Sequence, residues 1–342
     1  MRNRVIFYSS VKTKSLFKTQ KFYQIDIDIL QKMGYEVTLS NRIFDAFKFW
    51  KYDIVFAYFF RYSFFFALIA RVFGKKIYLT GGIDELDREY AGEKAYKIQK
   101  LFFRLCYVLA HRCIIVSKSD LIHVEEIVGV NAHKIAYSEH TIETSVFCNA
   151  TLVNKKPDFC TIGWMGNQGN VQRKGIDKAI YLFSLLKKKK EYSLSKFYVM
   201  GKRGKGTIML ESLIKELNLE DSVIITGEVT ESKKIEILKN CMFYLQLSHY
   251  EGFGVAALEA LVAGNIIIHS GKGGLGNPIY KEHVIVDINS NIEEQIGLVY
   301  DKITNLNLDT IKNNAKDCLN FYDNTRRLND FERIIGRCDY KQ

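Results

Sequence analysis

Two glutamates, Glu251 and Glu259, are separated by seven residues in a glycine-rich and otherwise apolar segment. Gly252 and Gly254 allow a tight turn and close approach of the backbone to a ligand. The helix predicted at 255–263 is apolar on every side except at Glu259, and such a helix is buried. A buried carboxylate costs several kcal/mol unless it is paired or hydrogen-bonded. Glu259 is therefore either part of a structural ion pair or reserved for a ligand.

The start of this predicted helix has the properties of an anion site. A helix N-terminus presents N–H groups without intrahelical partners at the positive end of the helix dipole, which suits a diphosphate. Glu251 lies just before the helix and Glu259 about one turn inside it. Each carboxylate can accept hydrogen bonds from the hydroxyls of a ribose or a hexose. The segment therefore predicts a site for a phosphorylated sugar compound. For Glu251, as for Glu259, the alternative is a structural ion pair.

Short apolar runs alternate with helical stretches along the chain and indicate parallel sheets covered by helices on both faces. Strands are predicted in the first half at 4–8, 36–39, 53–58, 76–79 and 113–116, with helices at 19–33, 63–73, 93–110 and 118–127. Strands are predicted in the second half at 159–165, 196–200, 223–226, 242–247 and 265–269. The polar stretch 149–158, which contains Pro157, is the predicted linker. Ligand is expected at the carboxyl ends of the strands, near the cleft between two doubly wound domains.

Several motifs together resemble the retaining glycosyltransferases of the GT-B fold, specifically glycosyltransferase family 4. Glu251 and Glu259 have the E-x7-E spacing of that family, in the context Tyr-Glu-Gly-Phe-Gly after a predicted strand. The spacing alone is common by chance, whereas the combination of motifs is specific. The other matching motifs are Arg112-Cys-Ile-Ile-Val-Ser117, Gly163-Trp-Met-Gly166, Arg173-Lys174-Gly175, Val199-Met-Gly201 and Thr226-Gly227.

The resemblance implies an α/β protein of the GT-B fold, with two Rossmann-like domains that face each other across a cleft. Residues 1–150 would form the acceptor-side domain and residues 151–322 the domain that binds a nucleotide sugar. Residues 323–342 would form a helix that packs back on the first domain. The implied activity is that of a retaining, metal-independent hexosyltransferase. Its donor would be linked to UDP or GDP, and it would need neither a metal site nor a cofactor.

The resemblance also implies roles for individual residues. Glu259 would hold the ribose hydroxyls, Glu251 the transferred sugar, and Lys174 would neutralise the phosphates of the leaving group. Lys174 precedes a predicted helix N-terminus, where a cation is unfavourable unless an anion lies between them; a solvated lysine in a turn is the alternative. The backbone amides expected to bind the diphosphate are those of Gly252, Phe253, Gly254 and Val255.

Some positions depart from the pattern of the family. Asn167 stands where many members have an arginine, and Arg173, Lys202 or Arg203 would supply the missing cation; the sequence does not choose among them. Gly201 and Lys202 begin a basic turn that is expected to face the cleft and contact the donor, and Asn167 is expected there too. A histidine that the family often places near the transferred sugar is absent. Asp84 is the candidate to replace it.

The net charge of +11 is concentrated in residues 1–150, where 22 Lys and Arg stand against 15 Asp and Glu. The aromatic run 56–66 and the basic amphipathic stretch 97–104 suggest peripheral contact with an anionic membrane. A core strand with its packing helices is the alternative. Membrane contact would suit a glycan or lipid-linked acceptor in bacterial cell-surface polysaccharide synthesis, of lipopolysaccharide or capsule. The chain has no membrane-spanning run and no signal peptide, so we expect a cytoplasmic protein at the inner face of the plasma membrane.

Two other classes of protein were weighed. A non-catalytic basic protein that binds nucleic acid or anionic lipid would fit the charge, but no motif that reads RNA or DNA is present, so no nucleic-acid partner is expected. A dinucleotide-dependent oxidoreductase is disfavoured because no G-x-G-x-x-G follows the first strand. The seven cysteines are scattered, with no C-x-x-C, and are predicted to be reduced core thiols.

Overall fold

A computed structural model describes residues 3–130, 132–147 and 155–336 of the chain. The chain divides into two compact units. The first comprises Met1–Ile142 together with Tyr322–Gln342, and the second comprises Glu143–Phe321. The first unit thus ends at Ile142 rather than at the predicted position 150, and the chain returns to it at Tyr322.

The first unit contains a parallel six-stranded sheet in the order β2-β1-β3-β4-β5-β6. Strand β3 is buried along its whole length, as expected for a parallel sheet with helices on both faces. The strands are β1 (Arg4–Tyr8), β2 (Glu36–Ser40), β3 (Ile54–Tyr58), β4 (Lys76–Thr80), β5 (Arg112–Ile115) and β6 (Ile135–Tyr137).

The helices of the first unit cover both faces of its sheet. Phe331 of the C-terminal helix packs on Phe56 of β3, and on the opposite face Phe66 packs on Tyr8 of β1. The helices are α1 (Leu16–Thr19), α2 (Lys21–Lys32), α3 (Phe60–Val72), α4 (Arg88–Leu109) and α5 (Lys118–Val128), with the C-terminal helix Asn324–Ile335. Short 3-10 helices lie at Ile43–Phe47, Phe49–Lys51 and Asp84–Leu86.

The second unit contains another parallel six-stranded sheet, in the order β12-β11-β10-β7-β8-β9. Its strands are β7 (Lys156–Ile162), β8 (Phe197–Met200), β9 (Val223–Gly227), β10 (Cys241–Gln246), β11 (Ile266–His269) and β12 (Val284–Ile285). Its helices are α6 (Gln168–Lys174), α7 (Ile176–Leu186), α8 (Lys205–Glu216), α9 (Glu231–Asn240), α10 (Val255–Val262), α11 (Ile292–Thr304) and α12 (Leu308–Phe321). The C-terminal helix Asn324–Ile335, which belongs to the first unit, is α13.

The strand order of the second unit identifies where a ligand would bind. Counted within this unit, the order is that of a doubly wound nucleotide-binding sheet, and it reverses between β7 and β10. Ligands of such sheets bind at the carboxyl ends of the strands beside the point of reversal. The loops that follow β7 and β10 begin at Gly163 and Leu247, so both sequence motifs singled out above lie at this point.

Ten predicted strands are present, with ends that differ by up to a few residues, whereas two edge strands were missed. Strands β6 and β12 have three and two residues and are too short to show a pattern of burial in the sequence. The predicted linker 149–158 overlaps β7, which begins at Lys156, and residues 149–154 lie outside the described part of the chain. Pro157 is tolerated because it lies at the start of the strand beside a shift of register.

No helix within the described residues combines the length and the apolar character that a membrane crossing requires. Among the cysteines that the structure describes, Cys106, Cys113, Cys160, Cys241 and Cys318 are buried, which agrees with the prediction of core positions for these five. Cys148 and Cys338 lie outside the described residues.

Candidate functional site

Glu251 is held by an ion pair at the carboxyl end of β10. The Nζ atom of Lys174 donates to both carboxylate oxygens, at 2.6 Å and 2.9 Å. The side chains of Glu251 and Lys174 are 10% and 22% exposed, so the lysine keeps some contact with water. Burial would raise the pKa of Glu251, but the charge and hydrogen bonds of Lys174 lower it below its ordinary value. The carboxylate is therefore ionised at neutral pH.

Neutral side chains complete the surroundings of the Glu251 carboxylate. The hydroxyl of Ser248 lies 2.7 Å from Oε1 and the Nε2 atom of Gln246 lies 3.0 Å from it. Gln246 is oriented in turn by the hydroxyl of Tyr244, which donates to its Oε1 at 2.7 Å. Gln246, Ser248 and Tyr244 are not among the site residues predicted from the sequence. Their side chains alternate along the end of β10, and this period of two is the signal that could have placed them on one side of the strand.

The ion pair forms because the junction of α6 and α7 packs against the end of β10. Gly175 adopts a left-handed conformation between the two helices, with φ of +62°. A Cβ atom there would lie 1.8 Å from the carbonyl oxygen of Leu247, so only glycine fits. The backbone N–H of His249 also donates to the carbonyl of Arg173 at 2.9 Å. These contacts bring Lys174, at the end of α6, against Glu251.

The loop that carries Glu251 is fixed by a second close approach. The N–H of Gly274 donates to the carbonyl of Glu251 at 2.6 Å. A Cβ atom on Gly273 would lie 2.3 Å from that carbonyl oxygen, and one on Gly274 would lie 2.5 Å from the carbonyl oxygen of Phe253. Glycines after β11 therefore hold the turn 251–254 in place.

Helix α10 begins directly after this turn. Its N-cap residue, Gly254, has φ of +85° and provides no side-chain hydrogen bond. Gly252 and Val255 are partly exposed, whereas Phe253 is buried. The first turn of α10 thus presents its N–H groups and the positive end of its dipole beside Glu251. Binding of an anion at this position remains a prediction.

Glu259 lies inside α10 and is paired with a lysine that the sequence analysis missed. The Nζ atom of Lys234, from α9, lies 2.8 Å from each carboxylate oxygen of Glu259. Lys234 also contacts Glu231 at 2.9 Å. The side chains of Lys234 and Glu259 are 13% and 8% exposed. Burial lowers the pKa of Lys234, but the two carboxylates outweigh it and the pKa is raised. Of the two alternatives for Glu259, the structure contains the ion pair, and a role in ligand binding stays a prediction.

The loops after β7 and β8 interlock at the same edge of the sheet. Gly201 has φ of +140°, and a Cβ atom on it would lie 2.0 Å from the carbonyl oxygen of Gly163. The N–H of Met165 donates to the carbonyl of Lys202 at 3.1 Å, while the Lys202 side chain is exposed. Asn167 is exposed and caps α6, with its Oδ1 accepting from the N–H of Asn170 at 2.8 Å. Asn167 therefore has a structural role in this loop.

The cation expected in place of an arginine at position 167 has three candidates. Arg203 donates to the carbonyl of Ile225 at 2.7 Å and contacts Glu211 at 3.4 Å, so its guanidinium already has partners. Lys202 makes no contact with Glu251 among the hydrogen bonds and ion pairs described. The charge of Arg173, by contrast, contributes to the lowered pKa of Glu251. Of the three candidates, Arg173 is therefore the one whose charge is shown to act on Glu251.

Asp84 belongs to the first unit, unlike the other predicted site residues. It begins the 3-10 helix Asp84–Leu86 after β4 and is partly exposed. The second unit brings together Glu251, Lys174, Arg173 and the start of α10. Within the residues that the structure describes, no three His, Cys, Asp or Glu side chains are grouped so as to hold a metal ion.

Part of the second unit matches a known sequence family. Residues 167–317 match the sequence model of the family described as Glycosyl transferases group 1. Mannosylfructose-phosphate synthase of Agrobacterium fabrum (strain C58 / ATCC 33970) is 30% identical over 118 residues. That match covers 33% of this chain and 26% of the relative, so the chain matches about a quarter of the length of this curated relative.

Solved structures are similar over nearly the whole chain. Sucrose-phosphate synthase from Thermosynechococcus elongatus has a TM-score of 0.75 at 13% identity, covering 98% of each chain. Anabaena HepE in complex with UDP and glucose has a TM-score of 0.73 at 12% identity, covering 98% of this chain and 100% of that one. The lipopolysaccharide outer core galactosyltransferase WaaB has a TM-score of 0.62 at 17% identity, covering 97% and 98%. The chain therefore has the GT-B fold of glycosyltransferases, and its residues 167–317 carry the pattern of the glycosyl transferases group 1 family.

Proposed function

We propose that this protein is a glycosyltransferase that moves a sugar from a nucleotide-sugar donor, bound in the second unit, to an acceptor hydroxyl. The observation that carries the proposal is the placement of two buried carboxylates, one just before α10 and one within it. Glu251 precedes the helix and Glu259 lies within it, at the point where the strand order of the sheet reverses. The match of residues 167–317 to glycosyl transferases group 1 supports the same assignment.

The two carboxylates would serve different parts of the donor. Glu259 would accept hydrogen bonds from the ribose hydroxyls, and its contacts with Lys234 hold the carboxylate in one orientation. Glu251 would contact the transferred sugar. The N–H groups of residues 252–255 would bind the diphosphate at the positive end of α10.

Lys174 would stabilise the negative charge that develops on the departing diphosphate. Its Nζ atom is shared between the two oxygens of Glu251, and the Lys174 side chain is 22% exposed. An incoming phosphate oxygen could therefore add to the pair without leaving either group unpaired. Charge stabilisation of this kind is often the largest contribution to an enzymatic rate. The reaction we propose retains the anomeric configuration and uses no metal ion, with the acceptor attacking from the face that the diphosphate leaves.

The proposed donor is linked to UDP or GDP, and the proposed acceptor is a glycan or a lipid-linked saccharide of the bacterial cell surface. The fold shared with HepE, which was crystallised with UDP and glucose, makes UDP the first nucleotide to test. The fold shared with WaaB and the basic first half of the chain support an acceptor in lipopolysaccharide or capsule synthesis. We place the protein in the cytoplasm, at the inner face of the plasma membrane.

Binding of the nucleotide can be tested without knowing the acceptor. The chain has two tryptophans, Trp50 in the first unit and Trp164 in the loop after β7 of the second. In the variant Trp50→Phe, the fluorescence of Trp164, which is 56% exposed, reports on this loop. We expect UDP or GDP, but not both, to change this fluorescence and to raise the melting temperature. Absence of any response to UDP, GDP and ADP would contradict the proposal.

A further inference from the structure

The first unit has an exposed face in which large apolar side chains alternate with basic ones. We propose that this face docks on an anionic lipid surface. It consists of the outward sides of α3, α4 and the segment 42–51, and is called the outer face below. The inference concerns the first unit alone and does not depend on the proposed transfer of sugar.

Helix α3 supplies the centre of the outer face. The inward side of this helix packs in the core through Phe60, Phe66 and other buried residues. Its opposite side would ordinarily be polar. Instead it carries Tyr62, Phe65 and Val72, whose side chains are 56%, 53% and 76% exposed. The aromatic run 56–66 therefore divides between core and surface: Phe56, Phe60 and Phe66 are buried, as the core alternative predicts, and membrane contact is what we propose for the exposed side.

The segment before β3 extends the outer face at the end of α3. Phe49 stacks on Phe73, which directly follows α3, with ring centroids 4.1 Å apart. On the same segment Phe44 is 76% exposed, Phe47 is 50% exposed and Trp50 is 58% exposed. The 3-10 helices of this segment are too short to show a periodic pattern, so the sequence alone does not mark it.

Helix α4 extends the outer face on the other side of α3. The two helices are in contact through Phe64 and Phe102, whose ring centroids lie 5.5 Å apart. The exposed side of α4 carries Leu101, which is 55% exposed, and Val108, which is 67% exposed. Large apolar side chains are thus exposed on three adjacent elements.

The charge of these elements is predominantly positive. In the segment 42–51 and in residues 60–76 the one acidic residue is Asp45, which is hydrogen-bonded to Ser40 and Lys48. Helix α4 adds Glu89 and Glu93 against five Lys and Arg, and Glu93 is paired with Lys97 at 3.4 Å. Exposed cations on the three elements include Lys51, Arg71, Lys97 and Arg104.

This combination favours a lipid surface over a protein partner or a second copy of the chain. Aromatic and aliphatic side chains can enter the boundary between headgroups and acyl chains, while the surrounding lysines and arginines contact anionic headgroups. A second copy of this face would bring like charges together, which opposes self-association. Charge complementarity therefore points to an anionic membrane.

Vesicle sedimentation tests the inference with a matched pair of variants. The test variant is Tyr62→Ser/Phe65→Ser/Val72→Ser. The control variant is Leu194→Ser/Ile208→Ser/Leu298→Ser, which removes exposed apolar side chains of the second unit. We expect the wild type and the control to bind vesicles containing about one third phosphatidylglycerol, and the test variant to bind roughly tenfold more weakly. Binding should be lost on vesicles of phosphatidylcholine alone and should decline with salt.

A second readout remains informative if the triple variant folds poorly. In Trp164→Phe, Trp50 is the remaining tryptophan, and its emission should shift to shorter wavelength and be quenched by brominated acyl chains when anionic vesicles are added. The charge variant Lys97→Glu/Arg104→Glu, which alters exposed residues only, should weaken this response. Equal vesicle binding by the test variant and the wild type, or binding without a preference for anionic lipid, would overturn the inference. So would an unchanged Trp50 emission. A wild type that forms dimers but binds no vesicles, and whose dimers the test variant abolishes, would instead identify the outer face as a dimer interface and would also overturn it.

Discussion

Each unit of the molecule contains a buried ion pair, and the pairs are built in different ways. In the first unit, Arg327 of α13 contacts Asp26 of α2 through two nitrogens, at 2.6 Å and 2.9 Å. Neither side chain has any exposure. A third nitrogen of Arg327 donates to the carbonyls of Ser138 and Glu139, at 2.6 Å and 2.9 Å. The hydroxyl of Tyr58 donates to the carboxylate of Asp26 as well. Every partner is a group of the protein itself.

The pairs of the second unit use lysine and keep some contact with water. The side chains of Lys174 and Lys234 are 22% and 13% exposed, and each holds a carboxylate near the start of α10. Lysine is a mobile point charge, whereas the planar guanidinium of arginine fixes its partners in one geometry. The Arg327–Asp26 pair, called the sealed pair below, joins α13 to the rest of the first unit. The pairs Lys174–Glu251 and Lys234–Glu259, called the open pairs below, keep contact with water, and we propose that they serve a ligand.

The largest expected effect follows from breaking the sealed pair. Arg327→Met leaves Asp26 buried without its partner, which costs about 3–5 kcal/mol of unfolding free energy. Urea unfolding followed by Trp50 in Trp164→Phe protein measures the first unit. Arg333→Met on the same helix is the control, because Arg333 is 75% exposed and should change stability little. A loss of under about 1 kcal/mol for Arg327→Met would remove the distinction between the units.

Breaking the open pair at Glu251 should affect turnover more than stability. We expect Glu251→Gln to reduce release of nucleoside diphosphate from the donor by about 10²–10³-fold, because the sugar loses a charged contact made during transfer. The free energy of unfolding should change by about 1 kcal/mol, since Lys174 can turn towards water. The exposed Glu220→Gln is the matched control. Full activity in folded Glu251→Gln protein would contradict the role given to this residue.

A smaller and different effect is expected at Glu259. Glu259→Gln weakens the hydrogen bonds to the ribose hydroxyls, so the dissociation constant of the nucleotide should rise by about tenfold. Turnover at saturating donor should change little. Titration of Trp164 fluorescence in Trp50→Phe protein gives the affinity for the nucleotide. Turnover measured as a function of donor concentration gives the rate at saturating donor. A fall in the saturated rate with unchanged affinity would mean that the roles of Glu251 and Glu259 are reversed.

The smallest effect is the dependence of stability on pH. Because the pKa of Glu251 is lowered in the folded state, its contribution is present above the ordinary value of 4.5 and is lost as pH falls through the lower folded value. The difference in stability between the wild type and Glu251→Gln should therefore be constant near neutral pH and shrink in acid below that value. Urea midpoints measured from pH 7 downwards test this. A stability difference between the wild type and Glu251→Gln that grows in acid would contradict a lowered pKa of Glu251 in the folded state.

The sequence predicted the regular parts of the fold and the backbone of the site. Strands such as β3 and β11 can be predicted from their continuous apolar runs, because buried parallel strands need apolar residues on both faces. The glycines around Glu251 were recognised because tight turns and close backbone contacts require them. The edge strands β6 and β12 were missed because two or three residues carry no period.

Side-chain partners from distant parts of the chain were harder to predict. Lys234 stands beside Lys233 in a polar helix and resembles a surface lysine, although its partner, Glu259, is 25 residues away. Arg327 is also in a helix of charged residues, and its partner Asp26 is 301 residues away. Local patterns give the face of an element that is buried, but they do not say which opposite charge the fold brings to it.

The central claim is that the open pair at the start of α10 serves a donor and contributes little to stability. The most direct test is the release of nucleoside diphosphate from a nucleotide sugar by the double variant Lys174→Met/Glu251→Gln, together with its unfolding followed by Trp164. Replacing both partners leaves no unpaired charge, so stability should equal or exceed that of the wild type while release of diphosphate is lost. Retained release of diphosphate, or a second unit destabilised by several kcal/mol, would contradict the account.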